Sequence, residues 1–176
     1  MADAHQSRLW AMRGMYLLLC LLIVFFDLLP LRTTPMAWAP PDLLLALSFV
    51  WSERRPDYVP TFAAATVFLL ADFLLQRPPG LWAALSLIVV EWARSHDRGH
   101  HERGFAVEWL GFAGAMIAMV VAYRLIMAIT VADPGPLHLA ATQAGFTILI
   151  YPLVVLVSHF IFRVRRLAPG DLEALG

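Results

Sequence analysis

An all-α integral membrane protein, folded as a six-helix transmembrane bundle, is the class that three observations predict. The first is composition: 60% of the 176 residues are hydrophobic and only 15% are charged, against about 45–50% and about 25% in soluble domains. Mean hydropathy is +0.70. The second is six apolar stretches, at 14–31, 38–52, 58–75, 79–93, 105–131 and 140–162. Backbone groups cannot stay unpaired in hydrocarbon, so stretches that cross it must be helices. The third is that ten of the twelve prolines fall in the gaps, at span starts or in the tail, where they interrupt no helix. Composition alone excludes a disordered chain, a collagen-like fibre and a soluble nucleic-acid binder.

The first stretch, 14–31, follows Arg8 and Arg13 like a signal peptide, with Ala37-Trp38-Ala39 mimicking a cleavage site. Its 18 residues exceed the roughly 7–15 of a signal core, and Pro40 would follow the cut. An uncleaved span is expected. Cys20 lies among leucines and reads as a buried, inert thiol. The second stretch has a core of only 12 residues, Pro41 to Ser52, about 18 Å of helix where hydrocarbon is about 30 Å thick. All six tryptophans (10, 38, 51, 82, 92 and 109) fall near span ends, as interfacial tryptophans do. A short crossing is therefore preferred to a re-entrant loop. Pro30 helps end the first span, and Pro152 is expected to kink the last. The spans form one domain, with 163–176 as a tail.

All 13 basic residues are arginine. Six spans with the N-terminus inside put ten arginines in inner segments and two (Arg32 and Arg77) in outer ones. Five spans score at best nine to three. The positive-inside rule thus favours six crossings narrowly, and both arrangements put the 94–104 loop and the tail in the cytoplasm.

Catalytic patterns are missing. His96, His100 and His101 have the HxxxHH spacing of a histidine box, but two irons need about three such clusters, so a solvated basic loop is the reading. There is no Gly-x-Ser-x-Gly elbow, phosphate loop or Cys-x-x-Cys pair. No enzyme, cofactor or metal site is predicted. The intramembrane charges say more, since such groups are expensive unless paired. Asp27, Asp72 and Arg124 fall at similar outer depth, and Arg124 is expected to pair with Asp72, shared with Asp27, as a structural clamp. Glu91 lies instead near the inner face beside Arg94. Small residues recur every fourth position at Gly114, Ala118 and Ala122, and at Gly80 and Ala84. Such stripes let helices approach closely, by default within the bundle and alternatively against a partner's transmembrane helix.

Two segments carry a family resemblance. Pro41-Asp42-Leu43-Leu44-Leu45-Ala46-Leu47 is followed by Arg54-Arg55-Pro56-Asp57, and Leu69-Leu70-Ala71-Asp72-Phe73-Leu74-Leu75-Gln76-Arg77-Pro78-Pro79-Gly80-Leu81 by Glu91. Together they resemble the bacterial rod shape-determining membrane protein family MreD. The likeness covers 40–95 in motif and the chain in length and span count; it departs where Ala63 to Ala65 and Ala71 stand in place of the family's frequent glycine. The resemblance implies a non-catalytic inner-membrane scaffold of the cell elongation machinery, the elongasome, with several spans and both termini cytoplasmic. It would maintain rod shape and help organise peptidoglycan synthesis by binding MreC, a single-span protein with a large outer domain. Through MreC it would reach MreB, RodA and a class B penicillin-binding protein. Lipid contact and self-association are allowed; nucleic acid is not a partner. The family's architecture is similar to the substrate-binding subunit of energy-coupling-factor transporters, and Asp42, Asp72 and Gly80 carry over as family-typical structural positions. Arg124, Asp27, Gly114 and Ala118 are further structural or partner-binding candidates from the residue reading. The alternative function is a small-molecule-capturing subunit of the energy-coupling-factor type. The outer loops, 32–40, 76–78 and 132–139, are short and poor in polar side chains, which disfavours a lid over a soluble ligand.

Overall fold

The computed structural model describes residues 2–29, 38–97 and 104–162. Among them are six α-helices and no strand: α1 (Ala2–Leu28), α2 (Leu43–Arg54), α3 (Thr61–Leu74), α4 (Leu81–Asp97), α5 (Phe105–Ile129) and α6 (Leu137–Phe160), with a 3-10 turn at Pro56–Tyr58. Each helix overlaps one expected apolar stretch. Two run further. The first helix begins at Ala2, and α4 continues to Asp97, because neither extension contains glycine or proline to stop it.

Proline and glycine set the boundaries. Pro40 and Pro41 precede α2, and Pro60 occupies the N-cap of α3. Gln76 and Gly80 turn the chain with φ of 55° and 82°, so that α4 packs back on α3 as a hairpin; α5 and α6 form a second hairpin. The exception is Pro152, inside α6. Lacking an N–H, it leaves the carbonyl of Ile148 without its helical donor. The Trp109 indole donates to that oxygen at 2.9 Å, which ties α5 to α6.

The short α2 lies at the centre. Every residue from Leu44 to Glu53 is buried, and α2 packs against α1, α4 and α6. A helix buried on all sides belongs to an interior. Around its middle, Phe49 meets Phe112 edge-on at 4.9 Å, and Phe112 stacks on Tyr151 at 4.3 Å.

The outer helices are the reverse. Within α1, α5 and α6, three segments are long and apolar enough to cross a membrane, yet only 17%, 22% and 22% of their most apolar windows is buried. Leu21, Phe25, Ile117, Leu125, Leu149 and Leu153 all face outward. Water would not leave so much apolar surface exposed. Lipid would. The interfacial reading of the tryptophans holds unevenly. Trp10 and Trp38 are exposed, whereas Trp51 and Trp82 are buried, with their indole N–H groups bonded to Ser158 and Asp42.

Candidate functional site

Asp42 organises one end of the bundle. It is the N-cap of α2: its Oδ1 accepts from the Leu45 N–H at 2.9 Å. Its Oδ2 accepts from the Trp82 indole at 3.0 Å, with the Arg77 guanidinium 3.7 Å away. Its own N–H donates to the Thr147 hydroxyl at 2.8 Å. One buried residue thus joins the starts of α2 and α4 through its side chain and α6 through its backbone. Nearby, the Ala39 N–H donates to Thr142.

Asp72 does a related job from the end of α3. Its Oδ2 accepts the N–H groups of Gly80 and Ala83, both at 3.0 Å. It therefore caps α4 from the preceding helix, satisfying donors that a helix start leaves bare. Oδ1 has no partner and is buried. Gly80 lies one residue before α4, at positive φ, so it serves the turn and not a packed small-residue stripe. Ala84 is exposed.

The expected clamp does not form. Arg124 donates to the Gly135 carbonyl at 3.2 Å, and among the described residues no ion pair joins it to Asp72 or Asp27. Similar depth does not put two groups on facing sides of a bundle. Asp72 is drawn instead to the amides of α4, only a six-residue connection away. Asp27 is exposed near the end of α1 and lines a cavity of about 240 Å³ with Asp42 and Arg77.

The opposite end holds a cluster with no sequence motif. Glu108, in the first turn of α5, is 3% exposed. It accepts three guanidinium hydrogen bonds from Arg54 at 3.0–3.3 Å and one from the Tyr151 hydroxyl at 2.7 Å, joining α2, α5 and α6. The two ends of α2 are therefore anchored separately, about 18 Å apart. Beside this, Glu91 accepts from Thr61 at 2.7 Å and from Arg94 at 2.8 Å. The signal for Glu108 in the sequence was a lone acid four residues into an apolar run.

Gly114 and Ala118 are both exposed. They line a groove of about 550 Å³ between α4 and α5, with Leu85, Ile88, Trp92 and Ala122. No heavy atom lies within 4 Å of where a Gly114 side chain would start. The stripe does not serve packing within the described residues. It opens sideways. His96, His100 and His101 and the tail 163–176 fall outside the described side chains, and among described residues no group of three or more metal-binding side chains occurs.

Fold and site together define an all-helical membrane protein built round a buried, doubly anchored helix. No protein family's sequence description matches the chain, and no solved structure does. One curated protein similar to it is a phospho-N-acetylmuramoyl-pentapeptide-transferase of Carboxydothermus hydrogenoformans, 28% identical over 113 residues. The match takes in 61% of this chain and 35% of the transferase, so the chain spans about a third of that relative's length.

Proposed function

We propose that the chain is a six-crossing, non-catalytic scaffold of the MreD type in the bacterial inner membrane, which docks the single transmembrane helix of MreC and so helps organise peptidoglycan synthesis. The lateral groove between α4 and α5 carries this reading. It is apolar, and its floor is built from Gly111, Gly114, Ala118 and Ala122, the residue types that let a second helix come close in lipid. Lipid tails are as apolar as a helix face, so shape must provide the attraction.

Helix direction supports six crossings. The starts of α2 and α4 and the first half of α6 meet at Ala39 and Asp42, and Leu75, just past the end of α3, lines a cavity with Asp42. Arg13, Arg54, Arg55 and Arg94 gather at the other end, which the positive-inside rule would make cytoplasmic. On this topology MreB, RodA and the class B penicillin-binding protein are reached through MreC, and the bundle shares its helix count with the energy-coupling-factor subunits. The transferase's name speaks of a muramoyl pentapeptide, which touches the same cell-wall chemistry. Transfer is disfavoured, because Asp42, Asp72 and Glu108 each bind backbone, indole or guanidinium partners.

A small-molecule-capturing subunit is the second reading, favoured by two cavities of about 210 and 240 Å³ at the Asp42 end that carry some polar side chains, among them Arg77 and Gln143. Both are below the roughly 300–1,000 Å³ of small-molecule sites. A detergent pull-down from the native host separates the readings. The scaffold recovers a single-span protein with an outer domain, and Gly114→Leu with Ala118→Leu abolishes that recovery while the protein still accumulates. Recovery of no such partner would sink it.

A further inference from the structure

The Asp42 end of the bundle holds a second cleft, distinct from the lateral groove and independent of the scaffold reading. About 210 Å³ in volume, it lies between the last third of α5, the loop before α6 and the start of α4. Two guanidiniums line it, Arg77 and Arg124, with Trp82, Tyr123 and Gln143, and no carboxylate does. Arg124 sits five residues before the end of α5, roughly 7 Å down from it at 1.5 Å per residue. Among the described residues its one hydrogen bond goes to the Gly135 carbonyl, which takes few of the guanidinium's five N–H donors. Arg77 lies over the Trp82 ring at 5.2 Å, and its nearest acid is Asp42 at 3.7 Å. That carboxylate is already committed to Leu45 and Trp82. Asp27 lines the neighbouring cavity, and Asp133 accepts from Gly135 N–H at 2.8 Å.

The rim points to the kind of molecule that carries the anion. Ile129, Val131 and Leu137 are 80%, 93% and 62% exposed around the loop, and Trp38 lies at the same end, exposed and packed on Phe146. Apolar side chains beside a tryptophan mark the headgroup level of a bilayer. Val131 also adopts a φ of 55°, a conformation that β-branched residues avoid. Its N–H donates to the Ala128 carbonyl and the Ala132 N–H to that of Met127, a helix ending that carries the chain back over Arg124. Strain of this kind persists where the surroundings hold it.

We propose that this cleft binds a phosphate group, with Arg124 and Arg77 as its ligands, and that the group is the headgroup phosphate of a membrane lipid whose tails lie along the apolar outer face of α5. Guanidiniums match phosphate geometry through paired N–H donors.

The test uses the purified full chain in detergent, with three probes at constant ionic strength: phosphatidylglycerol, sodium phosphate and cholesteryl hemisuccinate, an anionic amphiphile without phosphate. Native mass spectrometry reads retained lipid, and the thermal midpoint reads protection. Phosphatidylglycerol should be retained and protective, with retention falling at least tenfold in Arg124→Gln and in Arg77→Gln. Arg124→Lys should keep part of it, and Arg8→Gln, on an exposed turn of α1, should keep all. Arginine-dependent protection by sodium phosphate alone keeps the phosphate site but assigns its ligand to the free ion. Equal retention by Arg124→Gln and Arg8→Gln, or hemisuccinate binding as well as phosphatidylglycerol, overturns the proposal. Should Arg124→Gln fail to fold, Arg77→Gln and Arg124→Lys decide it by the same readouts.

Discussion

Helices α2 and α5 read alike as apolar runs, yet one is the core of the bundle and the other is mostly surface. The longer helix spans 25 residues, with its apolar side chains turned outward. The shorter has 12 residues and is buried from Leu44 to Glu53. The difference lies in their polar groups. Along or beside α2 stand Asp42, Ser48, Trp51 and Arg54, bonded respectively to Trp82, Tyr16, Ser158 and Glu108. In lipid, apolar surface gains little by moving inside, so polar pairing and shape decide which helix is central. Hydrophobicity puts a helix in the membrane; partners put it in the middle.

The largest effect is expected at Glu108. Glu108→Ala strands Arg54, whose side chain is 11% exposed, and removes the acceptor for Tyr151. The expected cost is about 3–5 kcal/mol, read as a lost or much lowered unfolding midpoint in a denaturing-detergent titration. Arg54→Met with Glu108→Leu should be less damaging than Glu108→Ala, since no charge is left unpaired. Next comes Asp42→Ala, which deletes a cap worth about 1 kcal/mol and leaves a buried indole N–H without an acceptor, at about 1–3 kcal/mol. Asp42→Asn, which can keep the cap, should fall between Asp42→Ala and the parent.

A smaller effect is expected in α6. Trp109→Phe should cost about 1 kcal/mol by leaving the Ile148 carbonyl bare. In a Pro152→Ala background the helix provides its own N–H, so Trp109→Phe should cost almost nothing there. Equal costs in both backgrounds would contradict the link between proline and indole. Smallest in stability is Gly114→Leu with Ala118→Leu, expected within about 0.5 kcal/mol of the parent, because the added atoms enter the open groove.

Much of this architecture was legible from residues alone. Prolines at the gaps and span starts marked off six helices, and Glu91 and Arg94, read at the end away from Asp72, pair there with the start of α3. Asp42 was picked out through the family resemblance, and Asp72 both through it and as an intramembrane charge; the structure makes both of them helix caps. The burial of α2 was not legible, because a continuous apolar run looks the same against lipid as against other helices. Its polar residues were the available clue. The Arg54–Glu108–Tyr151 cluster was hidden for another reason: its members lie 54 and 43 positions apart, and no local period links them. The Arg124–Asp72 pairing failed because depth along a helix says nothing about which way the side chain faces round the bundle.

Contact across the groove is tested most directly by photocrosslinking in intact membranes. A photoreactive residue replaces Ala118, on the groove, or Leu21, on the exposed face of α1. Ala118 should capture a single-span partner at least ten times more efficiently than Leu21, and Gly114→Leu should suppress that product. Equal capture from the two positions, or capture from Leu21 alone, would contradict docking between α4 and α5.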